Sequence, residues 1–223
     1  PQEDCTWFNS ILFEGEHDYV INQIISSQQN SNILISAEGY SQEGQESLYF
    51  MEVDDGGIVN EFIYNELGNE LDPFAILEAG NNVLIGGFVK SRELITNSFY
   101  NMYSEKQMIY VGEFSKSGEK IWSKGIDLDG YENGICNSMI KLDDSYLLLC
   151  HINKIGGSMF PVLVKIDSRG EVMKIIELQN NNITTIGSVI RNFSDDIELY
   201  GSYSEDNNHY FYKTIFTENL ELR

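Results

Sequence analysis

The chain has 223 residues, 42% of them hydrophobic and 12% aromatic, with only 3 prolines; that is enough apolar material for one packed domain and excludes global disorder. Its 14 Lys and Arg stand against 35 Asp and Glu, a formal charge of −21, and such a surface repels phosphate backbones and anionic lipid, disfavouring nucleic acid and anionic membrane as partners. The acidity serves solubility, and a basic partner, a neutral glycan or loosely held Ca²⁺ remains compatible with it.

The chain opens on Pro1 rather than Met, which reads as a trimmed, exported form and leads to an extracytoplasmic expectation. No lipidation signal precedes Cys5, and no apolar run reaches membrane-spanning length. Segment 7–13 (WFNSILF) reads as a strand, and residues 15–18, with His17 and Asp18, as a loop. A polar turn at 30–32 then leads into ILISAEG, and 47–53 (SLYFMEV) follows as a strand. That strand ends in the hairpin turn 54–57, whose glycines supply the positive φ that such turns need. IVNEFIY, at 58–64, completes the first set.

The same order recurs. A loop at 69–72 containing Asp72 precedes the turn 80–82 and VLIGGF. Residues 90–107 read as one long loop containing Phe99, Tyr100, Met102 and Tyr103; structureless loops beyond about 12–15 residues are uncommon and often functional. MIYVGEF, the turn 115–118 and KIWSKGI come next. A third set runs from the loop at Tyr131, Glu132 and Asn133 through YLLLCH, FPVLVKI, the turn 167–170 and VMKIIEL. A fourth runs from the loop at 181–184, with Asn182, through IELYGS and HYFYKTIF to 217–219, where Asn219 is expected to take the positive φ.

Aligned, these sets place Ile33, Val83, Tyr146 and Ile197 in one column and Ile35, Ile85, Leu148 and Leu199 in the next. A spacing of two residues says that one strand face is buried. The third column holds Ala37, Gly87, Cys150 and Gly201, and recurrent small residues imply that another backbone or side chain passes close. Successive members lie 50, 63 and 51 positions apart, the length of a four-stranded propeller blade. The fourth set lacks its last strand, and segment 7–13 matches WSKGIDL, with Trp7 on Trp122 and Ile11 on Ile126. The expected fold is therefore all-β: one domain over 1–223, a β-propeller of four blades (near 6–56, 57–118, 119–170 and 171–223), each of four antiparallel strands. The N-terminal strand closes the last blade and removes the exposed sheet edges. An arc of a larger propeller and a β-sandwich are the alternatives.

The pieces VLVKIDSRGEVMK and YVGEFSKSGEKIW resemble the repeats of bacterial β-propeller proteins, in which a hydrophobic strand ends in Asp-x-x-Gly and the next carries a Trp. The resemblance covers nearly the whole chain and is shared by quinoprotein-like, lyase-type and secreted or lipid-anchored propellers. It implies a fold and no activity. Trp stands at Trp7 and Trp122 only, with Phe62 and Lys174 near that position in the other repeats.

Antiparallel alternation puts the loops entering each set on one side with the loops joining its second and third strands. His17, Asp18, Asp72, Glu132, Asn133 and Asn182, with Phe99, Tyr100 and Tyr103, form the expected binding face, where aromatic planes stack and polar groups fix hydroxyls. No catalytic residue is assigned. His17 with Asp18 has the elements of an acid–base pair, and Asp18 with Asp72 those of a glycosidase pair, against a background of 35 acidic residues. Asp127-Leu128-Asp129-Gly130 lacks the terminal Glu of a calcium loop and reads as a turn. Three cysteines without CxxC spacing indicate neither a disulfide framework nor a zinc site, and Cys150 reads as packing. The leading reading is a non-catalytic binding module for a glycan or protein segment. A polysaccharide hydrolase or lyase with a carboxylate or His17 at the channel mouth comes second, and an assembly platform third. No cofactor is expected beyond Ca²⁺.

Overall fold

A computed structural model of the chain describes residues 18–40, 46–65, 70–96, 101–154, 157, 159–178, 183–191, 196–205, 208–217 and 219–222. Strands and turns make up all of it, with no helix among the described residues. In chain order the strands are β1 (Asp18–Ser26), β2 (Ile33–Tyr40), β3 (Glu46–Asp54), β4 (Gly57–Tyr64), β5 (Glu70–Ala79), β6 (Asn82–Thr96), β7 (Asn101–Ser115) and β8 (Lys120–Ile126). They continue as β9 (Tyr131–Lys141), β10 (Ser145–Lys154), β11 (Met159–Asp167), β12 (Val172–Glu177), β13 (Ile183–Arg191), β14 (Ile197–Glu205) and β15 (Asn208–Phe216).

Each run of neighbours folds as an antiparallel meander. The first sheet is β1-β2-β3-β4 and the last is β13-β14-β15. Between them, β5 to β8 and β9 to β12 form two further meanders, joined by a parallel bridge of Gln107 to Asn133. Segment 7–13, the expected partner of β15, lies outside the described residues.

The sheets stack through apolar faces. Leu34, Leu48 and Phe50 of the first sheet pack with Val83, Ile85 and Phe114 of the second. Leu84, Ile109 and Val111 on the reverse of the second meet Leu148, Cys150 and Val164 of the third. Leu147, Leu149 and Leu163 on the far face of the third meet Ile197, Leu199 and Phe216 of the fourth. Both faces of a middle sheet are covered, which is why its strands read as near-continuous apolar runs rather than clean alternation. The opposite face of the first sheet has its own cluster of Ile35, Ala37, Tyr49, Met51 and Val53. Met51 is fully buried there.

The small-residue column has a structural cause. Ala37, Gly87, Cys150 and Gly201 pair with Ile21, Pro73, Cys136 and Ile186 of the first strands, and immediately afterwards each first strand carries one extra residue: Asn22, Phe74, Asn137 and Gly187. The same bulge recurs in all four sheets. A bulge bends its strand toward its partner, and a Cβ placed on Gly87 would lie 1.8 Å from the Asp72 carbonyl oxygen. Backbone occupies that space, so only glycine fits.

Three turns share one hydrogen-bond pattern. Ser115 N–H donates to Glu119 O and Gly118 N–H to Ser115 O, and the pairs recur at Asp167, Glu171 and Gly170 and at Thr217, Glu221 and Leu220. Gly118 and Gly170 have φ of 90° and 79°, and Leu220 takes the same place at 62°. The positive φ expected at Asn219 thus falls one residue later. The buried Leu220 side chain packs with Ile197 and Phe216, and that apolar contact offsets the left-handed backbone. Glu52 is opposite Asn60 as Glu113 is opposite Trp122, and Phe62, two residues on along the same face, stands near the position of Trp122.

Candidate functional site

The face expected from the sequence is the end at which β1, β5 and β9 begin. Asp18 opens β1, Asp72 is two residues into β5, and Glu132 is the second residue of β9. Residues 18, 72 and 131–133 were expected in loops. They belong to strands instead, because the ladders of β1 with β2, β5 with β6 and β9 with β10 run on to Tyr40, Lys90 and Lys154. His17, Phe99, Tyr100 and Asn182 lie outside the described residues.

The supposed loop 90–107 is mostly ladder. β6 and β7 stay paired rung by rung from Lys90 with Gln107 to Thr96 with Asn101, and Tyr103 is in register with Leu94. β5 ends its pairing at Glu70 with Lys90. The hairpin therefore continues six residues beyond the sheet, roughly 20 Å at the rise of an extended strand. A two-stranded ribbon needs no buried face to satisfy its own backbone, so the segment carries no apolar periodicity for sequence reasoning to detect.

The base of that hairpin meets the start of β9. Gln107 and Met108 line a shallow surface depression with Ile126, Asp127, Tyr131, Glu132, Asn133 and Gly134, whose enclosed room is about 10 Å³. That is room for about one water, far below the roughly 300 Å³ of a site that encloses a small molecule. Two of the sequence candidates, Glu132 and Asn133, are thus brought together with the insertion that carries the aromatic candidates. Tyr131 donates its hydroxyl to Glu177. That hydrogen bond, then burial and the carboxylate charge, pushes the phenol up to about 12, so it stays a donor at neutral pH.

Toward the first sheet the polar groups change character. Asp72 is buried. The amide of Asn22, at the bulge of β1, donates to the carbonyl of Pro73, and Gln23 Oε1 accepts the Ile76 N–H at 2.5 Å. These contacts hold β1 beside β5. Glu38 was not anticipated. It pairs with Val20 of β1, is 8% exposed and keeps one carboxylate oxygen without a hydrogen-bond partner. A buried group of this kind calls for an explanation in packing or function.

His151 was also missed as a site residue. Its Nδ1 lies 2.7 Å from Asn137 Oδ1, which places the proton on Nδ1, and its Nε2 is buried without a partner. Burial pushes the imidazole below its ordinary pKa, keeping it neutral. Asn153 Oδ1, two residues along β10, is likewise buried and unpartnered, and Asn153 is in register with Asn133. A polar residue inside a buried strand is a signal a sequence offers; the fold was needed to show which residues share a face.

Among the described residues no group of three or more His, Cys, Asp or Glu side chains is gathered to hold a metal ion, and no helix is long and apolar enough to cross a membrane.

No protein-family model matches the chain, and no curated protein matches it. Solved structures do. A Bombyx mori GH32 beta-fructofuranosidase aligns with a TM-score of 0.51 at 10% identity, over 91% of this chain and 48% of that one. An exo-1,5-alpha-L-arabinanase from a bovine ruminal metagenomic library aligns with a TM-score of 0.35 at 10% identity, over 95% of this chain and 98% of that one. The chain spans about half the length of the fructofuranosidase, and the likeness at that identity is one of fold. The fructofuranosidase is a glycoside hydrolase built on a β-propeller, and the chain shares with it an all-β fold of propeller type.

Proposed function

We propose that this chain is a carbohydrate-recognising propeller domain of an extracytoplasmic protein, binding a glycan across the sheet end at which β1, β5 and β9 begin. One observation carries the reading: three successive first strands each carry one of the candidate carboxylates within their first three residues, Asp18, Asp72 and Glu132, and the β6–β7 hairpin projects from that end. Carboxylates and amides fix sugar hydroxyls, and aromatic side chains offer flat faces for the ring. A polysaccharide segment would lie across this open surface rather than inside a pocket.

Binding to an immobilised panel of neutral polysaccharides tests it. The wild-type protein is expected to be retained by at least one member, and Tyr100→Ala with Tyr103→Ala, or Glu132→Gln, to lose that retention while keeping its β-sheet circular dichroism. Undiminished retention by all these variants overturns the reading.

Hydrolysis is the second reading, favoured by the fold likeness to a fructofuranosidase and by the adjacency of β1 and β5. Two carboxylates flanking a glycosidic bond supply the acid and the nucleophile or base. New reducing ends on the retained polysaccharide, abolished by Asp18→Asn or Asp72→Asn, would establish it. Retention without new ends leaves recognition alone.

A further inference from the structure

We infer that Cys136 and Cys150 are a disulfide site, closed when the chain folds in an oxidising compartment. The two residues are directly opposite each other in the ladder of β9 and β10. Directly opposed antiparallel residues have Cα atoms about 4.5–5.5 Å apart, inside the roughly 4.4–6.8 Å range that disulfides span. Both are free thiols, fully buried, and both belong to the cluster between the second and third sheets. Their side chains therefore point to the same side of the sheet. Burial first, then the hydrogen bond and charge of the Cys136 sulfur, push the Cys150 thiol up.

The surroundings leave room for the bond. Cys136 Sγ and Met139 Sδ lie 2.7 and 3.0 Å from the point where a Cβ of Gly86 would be. The second sheet thus presents bare backbone to the pair. A side chain there would hold the sulfurs in one place, and glycine lets them close.

The chemistry runs before the sheets pack, because buried and protonated thiols react slowly. In the open β9–β10 hairpin one cysteine thiolate attacks a sulfur of an external disulfide, either oxidised glutathione or a dithiol–disulfide oxidoreductase, and expels one thiolate. The second cysteine thiolate then attacks the mixed disulfide and expels the other. The external disulfide is reduced to two thiols, which take up the two protons, and the S–S bond joins 136 to 150. Packing of the second sheet over the pair then shields the bond from reductants.

The test uses the full chain carrying Cys5→Ser, so that only these thiols remain. It is refolded from urea with a glutathione redox pair, then denatured, alkylated with iodoacetamide and weighed. The expected product is a monomer lighter by two thiol hydrogens, taking up no alkyl group, whose tryptic map joins the peptides containing Cys136 and Cys150. Alkylation of both cysteines, or intermolecular dimers, overturns the inference. The oxidised protein is also expected to unfold at higher urea than the same protein refolded with dithiothreitol. Coincident curves would overturn the claim that the bond staples the hairpin, and this comparison needs no core substitution that could prevent folding.

Discussion

Lys116 sits between two buried carboxylates and belongs to the turn after β7. Its Nζ is 3.0 Å from Glu52 Oε1 and 2.9 Å from Glu78 Oε1, with the glutamates 3% and 2% exposed. Asn32 and Asn60 donate to Glu52 at 2.9 and 2.7 Å, and the Gln28 N–H donates to Glu78 at 2.5 Å. Every charge is paired and hydrogen-bonded, the condition under which ions are tolerated in a core. Burial alone would raise the Glu52 carboxyl, but the hydrogen bonds from Asn32, Asn60, Lys116 and Asn30 outweigh it and hold the group at about 2 against an ordinary 4.5. Glu78 is lowered and Lys116 raised, each partner's hydrogen bonds overcoming burial. For a depressed carboxylate the stabilisation is complete above the unfolded value and is lost as pH falls from 4.5 through about 2. For the raised lysine it is lost only in strong alkali. Lys116→Met leaves two carboxylates unpaired and is expected to cost about 3 kcal/mol at neutral pH. Because the glutamates of the variant protonate more readily, the gap from wild type should shrink as pH falls toward 2. Urea melts at stepped pH read this directly; a gap independent of pH would assign the loss to packing.

At the scale of the element, the β6–β7 hairpin is separable from the sheet that bears it. Its rungs beyond Lys90 and Gln107 pair only with each other, whereas the core partners Val83, Ile85, Val89 and Phe114 lie below them. Replacing 91–106 by an Asn-Gly turn, whose geometry suits a two-residue hairpin, is expected to leave the urea midpoint unmoved and to abolish retention on the polysaccharide that binds wild type. A large fall in stability would make the hairpin part of the fold instead. This element also shows where sequence reading stops. The columns headed by Ile33 and Ile35 were legible because a buried face imposes a two-residue period. The hairpin was read as a loop because its ladder imposes none. The opposition of Cys136 and Cys150 was hidden by the bulge at Asn137, which shifts the register by one; counting back from the turn at 142–145 without it pairs Cys150 with Asn137. Glu132 and Asn133 could be placed at the candidate end from repeat order alone. Glu38 and His151, polar residues on otherwise buried strands, needed the packing of neighbouring sheets.

For the whole molecule the open question is how the first and fourth sheets relate, and the outer strands supply a rule. Phe62 of β4 touches Gly118 in the second sheet's turn, and Trp122 of β8 touches Gly170 in the third's. Lys174 of β12 donates to Asn219 O in the fourth's, at 3.1 Å. Each outer strand thus grips the turn of the sheet that follows. Residues 7–13 continue the pattern if they complete the fourth sheet, and Trp7 then lies on the turn 54–57 of the first. The cluster of Ile35, Met51 and Val53 on the first sheet's other face is the surface such a closed ring covers. The register follows from homologous positions. β8 pairs with β7 with Trp122 opposite Glu113 and Lys124 opposite Val111, while Phe114 and Phe216 are equivalent through Val83 and Ile197. If residues 7–13 pair with β15 in that register, Trp7 is expected opposite Ile215 and Asn9 opposite Lys213. β15 is the edge of its sheet among the described residues, with Phe211 91% exposed. In a Cys5→Ser background, Asn9→Cys with Lys213→Cys is expected to form an intramolecular disulfide under mild oxidation. Asn9→Cys with Ile215→Cys, two residues out of register on the same face and about 7–8 Å apart, beyond the reach of a disulfide, should not. A ring of more than four blades, completed by another chain, predicts cross-linked dimers from the first pair instead. Gel mobility before and after reduction separates the two geometries, because only a strand supplied by the same chain gives a monomer that runs faster when oxidised.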